Sequence, residues 1–395
     1  MTVEKKVPEI RFKGFSEQWQ SLSLDKITDV YDGTHQTPTY TKNGVMFLSA
    51  ENIRTLTSQK FISEKAFKEE FKVYPQKNDV LMTRIGDVGT ANVVETDDDK
   101  AYYVTLALLK YKQLSPYFLK SSIASPYVQR DIWLRTLHIA FPKKINMNEI
   151  KQVNVNCPLN SKESDKIGNY FEKLDNLINQ HQQKHDKLSN IKNAMLEKMF
   201  PKQGKTIPEI RFKGFSGEWE EIELSDEVTF INGRAYSQEE LLDKGKYTVL
   251  RVGNFYTNSS WYYSDLELGD KYYANNGDLL YTWSASFGPH IWNGGKVIYH
   301  YHIWKLELSD SVDKLFLLHL LDYDRAKILS GSNGSTMIHI TKSAMEAKKV
   351  FIPKTDEQIV IGNYFQKLDA LINQHQQQIT KLNNIKQACL NKMFV

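Results

Sequence analysis

The peptide PEIRFKGFS occupies residues 8–16 and returns unchanged at 208–216. Nine identical residues in two distant places mean an internal repeat, which constrains the fold more than any composition does. A second constant block is longer. IGNYFEKLDNLINQHQQKHDKLSNIKNAMLEKMF (167–200) matches IGNYFQKLDALINQHQQQITKLNNIKQACLNKMF (361–394) at 25 of 34 positions. Between these lie two variable blocks, about 21–158 and 221–353, similar in length but unlike in sequence. Scattered landmarks still align across them: Asp32-Gly33 with Asn232-Gly233, LSAENIR with LRVGNFY, KNDVLMT with NGDLLYT, and INMNEIKQVNVNCP with ITKSAMEAKKVFIP. The chain reads constant–variable–constant, twice: a fixed frame carrying two different heads.

The longer constant block predicts a helix. Ile167, Phe171, Leu174, Ile178, His181, His185, Leu188, Ile191, Met195 and Met199 follow one another at steps of three and four. The second copy keeps the seam from Ile361 through Phe365, Leu368, Ile372, His375, Ile379, Leu382, Ile385 and Cys389 to Met393. Such a seam specifies a coiled coil, and a helix over 163–200 would be ~57 Å long. Pro201 ends the first helix, and only PKQGKT (201–206) separates it from the second PEIRFKGFS. So short a linker spans at most ~20 Å, which forces the second helix to run back antiparallel to the first. The expected fold is therefore α+β: two mixed α/β domains separated by a pair of long antiparallel coiled-coil helices, with a pseudo-two-fold internal repeat. The expected divisions are 1–158, 159–200, 201–206, 207–353 and 354–395. His181 and His375 take equivalent seam positions as a polar layer that fixes register. His181 and His185 are spaced for zinc, but Ile379 stands where the second copy would need His185, so no metal site is expected.

Composition excludes some classes. With 41% apolar and 12% aromatic residues, 395 residues can bury substantial cores. No apolar run approaches the ~18–20 residues of a membrane helix, and MTVEKKVPE lacks a signal-peptide core. Two cysteines at unrelated places, Cys157 and Cys389, read as free thiols of a reducing cytoplasm. A net charge of +4 tolerates an anionic partner but is below that of a strongly basic nucleic-acid binder.

The variable blocks alternate β-type runs, such as VLMTRI (80–85), VTLALLKY (104–111), YTVLRV (247–252) and KVIYHYHIWKLEL (296–308), with turns. Polar turns after strands are the places to look for recognition. TRIGDVGT (83–90) offers Arg84 beside Gly86, and WSASFGPH (283–290) offers Ser284, Ser286 and His290. Arg54, Arg251 and Asn254 fall on the LSAENIR and LRVGNFY landmarks. Arginine can read guanine and asparagine adenine in the major groove. Lys42, Lys143, Lys144, Arg234 and Lys342 suit phosphate.

Catalytic patterns are sparse. There is no GxxxxGK loop and no Asn-Pro-Pro-aromatic tetrad of an amino-methyltransferase. Asp79 with Asp98-Asp99-Lys100 loosely mimics a nuclease acid–acid–lysine set, but the second copy keeps only Asp278. Three readings stand at this point: a non-catalytic DNA reader, a scaffold whose two heads bind proteins, and an enzyme with a cryptic nuclease site.

The whole layout resembles the specificity subunits of type I restriction–modification systems, through the repeated PEIRFKGFS…W, KNDVL/NGDLL, the two pre-helix segments and the duplicated IGNYF…LD.LINQHQQ…KMF helices. The resemblance implies that each variable block is a target-recognition domain reading one half of a bipartite, asymmetric site on double-stranded DNA. It implies helices that set the spacer and dock two modification subunits, adenine-N6 methyltransferases, with restriction (motor–nuclease) subunits joining them. On the helices, Lys173, Asn176, Gln180, Gln183, Lys367, Gln374 and Gln377 are the expected partner face. It also implies a cytoplasmic protein with no catalytic residues and no cofactor of its own. S-adenosylmethionine would belong to the modification subunits, and ATP and Mg2+ to the restriction subunits.

Overall fold

The repeated nonapeptide turns out to be a clamp for helix ends. In the computed structural model, which describes residues 7–256, 258–284, 286–331 and 340–395, the two long helices run over Ser161–Met199 and Thr355–Lys392. The chain divides into two compact units, 1–182 with 376–395, and 183–375. The expected boundaries at 158, 200 and 353 therefore do not bound the compact units. Each unit takes a segment from both long helices, because neither helix can bury its seam alone.

In the first unit, Arg11 grips Glu163 with two hydrogen bonds of 2.5 and 2.7 Å. Glu163 lies in the first turn of its helix and is 1% exposed. The neighbouring Ile10 donates its N–H to the Lys392 carbonyl at 2.9 Å, satisfying one of the acceptors that every helix C-terminus leaves open. The second unit repeats both contacts. Arg211 grips Glu357 at 2.7 and 2.6 Å, and Ile210 donates to Lys198 O at 2.9 Å. The packing around the clamp repeats too: Phe12 meets Tyr170 edge-on, as Phe212 meets Tyr364. The nonapeptide is constant because it completes constant helix ends.

Inside each unit the two helix segments are antiparallel. In the first, Tyr170 touches Cys389 at 3.6 Å and Asp175 pairs with Lys386 at 2.5 Å, so numbers rise on one segment as they fall on the other. In the second, Lys192 pairs with Asp369 at 2.7 Å. Burial pushes the Asp175 carboxyl upward, but Lys120 and Lys386 together outweigh it and hold it below the usual carboxylate range. Seam residues Ile167, Phe171 and Leu174 join Leu390, Met393 and Phe394 in the first core, while Leu196, Met199 and Phe200 join Ile361, Phe365 and Leu368 in the second. His181 and His375 are half-buried.

Each unit carries a four-stranded antiparallel sheet in the same order. The first runs Asp29–Asp32, Leu106–Lys110, Val80–Thr83, Ala91–Val93. The second runs Val228–Asn232, Ile303–Leu308, Leu279–Thr282, Gly288–Ile291. A smaller sheet flanks each: Val45–Leu48 lies between Phe61–Ile62 and Lys100–Tyr102, and Tyr247–Leu250 lies between Tyr262–Ser264 and Val297–Tyr299. The apolar run at 296–308 is thus two strands in two sheets. Arg234 divides them, donating its N–H to Tyr299 O and accepting from Tyr301 N.

Both domains are seated on the helices by the glycine of IGNYF. A Cβ at Gly168 would lie 2.4 Å from Ser115 Oγ, and one at Gly362 would lie 2.7 Å from Phe316 N. Ser115 and Asp313 stand just before the domain helices Pro116–Ala124 and Lys314–Gly331, whose first turns cross the long helices there. Only glycine allows that approach.

Candidate nucleic-acid interface

Beneath the frame's constancy, the polar turns of the two units differ. In the first unit, strand Val80–Thr83 delivers Arg84 to a buried position, 7% exposed. Its Nη1 donates to both Asp32 oxygens at 2.9 and 3.1 Å and to Val104 O at 3.1 Å, and its Nε donates to Ile145 O. Arg84 was expected to read a base. Instead its Nη1 and Nε are committed within the unit, tying two strands to the segment before the long helix. The second unit has Asn232 and Trp283 in those places, so this tie is not part of the shared frame.

Gly86, Lys143 and Lys144 do come together. Gly86 is exposed at φ 87°, where glycine is favoured, and its N–H donates to Lys143 O at 2.8 Å. Lys143 and Lys144 are both exposed, and among the described residues neither makes an ion pair. Lys42 and Arg54 are also exposed, but they flank the smaller sheet, in the turn before Val45–Leu48 and after the 3-10 turn Ala50–Asn52.

In the second unit, Arg251 and Asn254 share one loop, and His290 packs on the Phe255 that follows it. Asn254 was expected to read adenine, but its amide is committed to its own loop. Its Oδ1 accepts from Arg251 N at 3.0 Å, and its Nδ2 donates to Ser260 O at 2.9 Å. Asn52 does the same work in the first unit, accepting from Ser49 N and donating to Thr57 O, both at 2.9 Å. The shared asparagine is a loop staple. His290 stacks on Phe255 with ring centres 4.2 Å apart, and burial pushes its imidazole down to about 4. At neutral pH it carries no charge and so offers no cation to phosphate. Arg251 is the exception: its guanidinium lies 4.1 Å over the Tyr262 ring, and among the described residues no acceptor reaches its buried Nε. The stacking on Tyr262 holds the guanidinium plane in place without an acidic partner.

The remaining candidates are scattered. Arg234, expected on phosphate, is engaged by Glu240 through bonds of 2.9 and 2.6 Å, and that engagement holds Glu240 down at about 2. Lys342 begins the helix Lys342–Glu346 and pairs with Glu346 at 3.4 Å. Ser284 is half-buried and Ser286 exposed. All seven helix residues expected to face partners, Lys173, Asn176, Gln180, Gln183, Lys367, Gln374 and Gln377, are exposed. Leu177 and Leu371, at equivalent places beside them, are 43% and 44% exposed, a feature the polar reading of that face missed.

The nuclease-like set does not assemble. Asp79 is 2% exposed and closes a turn, accepting from Gln76 N and Tyr111 N and pairing with Lys110 at 2.6 Å. Asp278 closes the matching turn through Asn275 N. Lys100 is 4% exposed and points its ammonium at Asp98. Among the described residues, no group of three or more His, Cys, Asp or Glu is gathered to hold a metal, and no helix is long and apolar enough to cross a membrane.

Residues 216–384 match the type I restriction modification DNA specificity domain. The chain is 27% identical over 181 residues to the type I restriction enzyme MjaVIII specificity subunit of Methanocaldococcus jannaschii, covering 45% of this chain and 42% of that one. It is 24% identical over 172 residues to the EcoBI specificity subunit of Escherichia coli, covering 43% and 35%. The aligned stretches thus span less than half of either relative. Among solved structures, an S subunit of a type I restriction–modification system from M. genitalium superposes with TM-score 0.64 over 98% of this chain and 99% of that one, at 16% identity. A chain from a structure of type I complex assembly and conformational transition superposes at 0.51 over 94% and 96%, at 15% identity. The fold is shared with both.

Proposed function

We propose, from a domain match, relatives and a fold that all resemble the type I specificity subunits, that this chain is the DNA-reading member of such a complex and does no chemistry itself. The observation that carries this reading is one frame used twice beneath two unlike heads. The clamps Arg11–Glu163 and Arg211–Glu357 are the same contact, whereas the turns above them hold a buried, ion-paired Arg84 in one unit and a half-buried Arg251 stacked on Tyr262 in the other. A machine that recognises one thing twice would keep both heads alike. One that recognises a split, asymmetric sequence keeps the frame and varies the heads.

On this reading each unit meets one half-site. Lys42, Lys143, Lys144 and Arg54, all exposed in the first unit, contact phosphate and position the domain without carrying sequence. Arg251 is the second unit's base reader. The long helices set the unread spacer, and their exposed faces at Lys173–Gln183 and Lys367–Gln377 dock modification subunits. S-adenosylmethionine, and the ATP and Mg2+ of cleavage, belong to those partners and to the restriction subunits.

The test is exchange of residues 21–158 for the corresponding block of another type I specificity subunit, in a host that supplies modification subunits. Sequencing of methylated adenines should show one half-site changed and the other kept; two altered halves, or none, would refute the assignment. Two arginines sharpen it. Arg251→Ala should relax one position of the second half-site by about 1–3 kcal/mol of discrimination. Arg84→Ala should leave the motif intact and cost the first unit about 1.5–3 kcal/mol of stability, because its bonds to Asp32 are internal. Urea unfolding beside the methylome separates the two effects, and a broadened first half-site in Arg84→Ala would restore it as a reader.

A further inference from the structure

The first unit exposes an apolar tip that its own folding does not explain. After the helix Pro126–Arg135 the chain makes a narrow finger over 137–144, closed at its base where Leu137 N donates to Lys144 O at 2.7 Å. At the tip, Ile139 is 99% and Phe141 104% exposed. His138 folds back on Trp133, its Nε2 2.8 Å from Trp133 O and the rings 4.6 Å apart, which braces the finger and leaves the tip uncovered. The finger's base is bound to the candidate interface: Gly86 N donates to Lys143 O, and Ile145 N donates to Arg84 O. Lys143 and Lys144 flank the apolar tip on this side.

A wholly exposed phenylalanine adds nothing to a core, and exposed apolar clusters mark binding surfaces. A protein partner would need roughly 800 Å² from this side, whereas one loop with two apolar side chains supplies a fraction of that. Lysines are also depleted at the centres of protein interfaces. A slender finger with an apolar tip and a cationic base has the complementary shape and charge for a nucleic-acid groove. Apolar side chains entering the ~6 Å minor groove unstack a base step and bend the duplex.

We propose that the finger 137–144 is a wedge: Phe141, with Ile139 beside it, inserts against a base step of the first half-site, while Lys143 and Lys144 hold the phosphates on either side. The proposal rests on the DNA-reading function above and adds deformation of the duplex to it. Specificity at that step then comes from how easily the step unstacks, with no hydrogen bond to a base edge.

The experiment uses the full chain assembled with its modification subunits and a duplex carrying its methylated motif, with 2-aminopurine scanned through the first half-site. The wild-type complex should brighten the probe at one step. Phe141→Ala should abolish that signal and, with Ile139→Ala, weaken binding about 10-fold or more, whereas Phe141→Leu should retain part of both. Lys143→Ala with Lys144→Ala should lower the salt slope of binding by about two without moving the unstacked step. The tip lies outside the core, so these variants fold. The wedge is overturned if the wild type binds the duplex and brightens no position, or if Phe141→Ala leaves brightening and affinity unchanged. Loss of modification subunits from the Phe141→Ala complex would make the tip a protein contact and overturn it equally. Failure of the wild type to bind any duplex would instead bring down the DNA-reading function itself.

Discussion

Arg11→Ala should remove about 3–5 kcal/mol from the first unit, because it strands a carboxylate in the interior. Glu163 is 1% exposed, and both of its oxygens are held by Arg11. The number reflects the charge left behind more than the strength of the pair. Replacing both partners with apolar residues, Arg11→Met with Glu163→Leu, should therefore recover most of the loss. Urea unfolding followed by hydrogen exchange of peptides covering 8–19 and 161–175 would check this. A double variant as unstable as the single would mean that the clamp works through something other than the buried charge. Arg211→Ala should cost the second unit at least as much, since Arg211 also donates from Nη2 to Ser216 O at 3.1 Å, and that bond goes with it.

The second large effect crosses the sequence. Phe394 packs on Phe118, Phe171 and Trp19 at ring distances of 5.5, 5.6 and 6.2 Å, all in the first unit. Its counterpart Phe200 packs on Tyr323, Phe316, Phe365 and Trp219 at 5.3, 5.6, 6.0 and 6.3 Å, all in the second. Each truncation to alanine should cost about 3–5 kcal/mol. The location of the damage decides the matter. Phe394→Ala should expose amides at 20–157 and spare 220–352, and Phe200→Ala should do the reverse. If each phenylalanine instead weakened the domain that precedes its own helix in the chain, 20–157 for Phe200 and 220–352 for Phe394, the division into units would be wrong.

Much of the frame was legible because its signals are local or repeated. A seam sustained over ten positions specifies a helix whatever surrounds it, and the short linker fixed the relative direction. The sites were less legible because their partners are remote. Arg84 is committed by Asp32, 52 residues away, and Arg11 by Glu163, 152 residues away, and no spacing rule announces either pairing. Asn254 looked like a base reader because its type suits adenine; a hydrogen bond within four residues uses it up. The finger was missed for the opposite reason. In LHIAFPKK the residues Ile139 and Phe141 look like core, and only the fold leaves them outside.

The first unit is finished by residues made only after the whole of the second. Trp19, Phe118 and Phe171 close over Leu390, Met393 and Phe394, whereas the second unit needs nothing beyond residue 375. A nascent chain, emerging at ~5–20 residues per second, would hold its leading half open for tens of seconds, waiting for the closing segment. During that interval an apolar trough suited to one amphipathic helix is on offer to the surroundings. Ribosome-bound chaperones should therefore engage the leading half for longer than the trailing one, which seals itself as it is made.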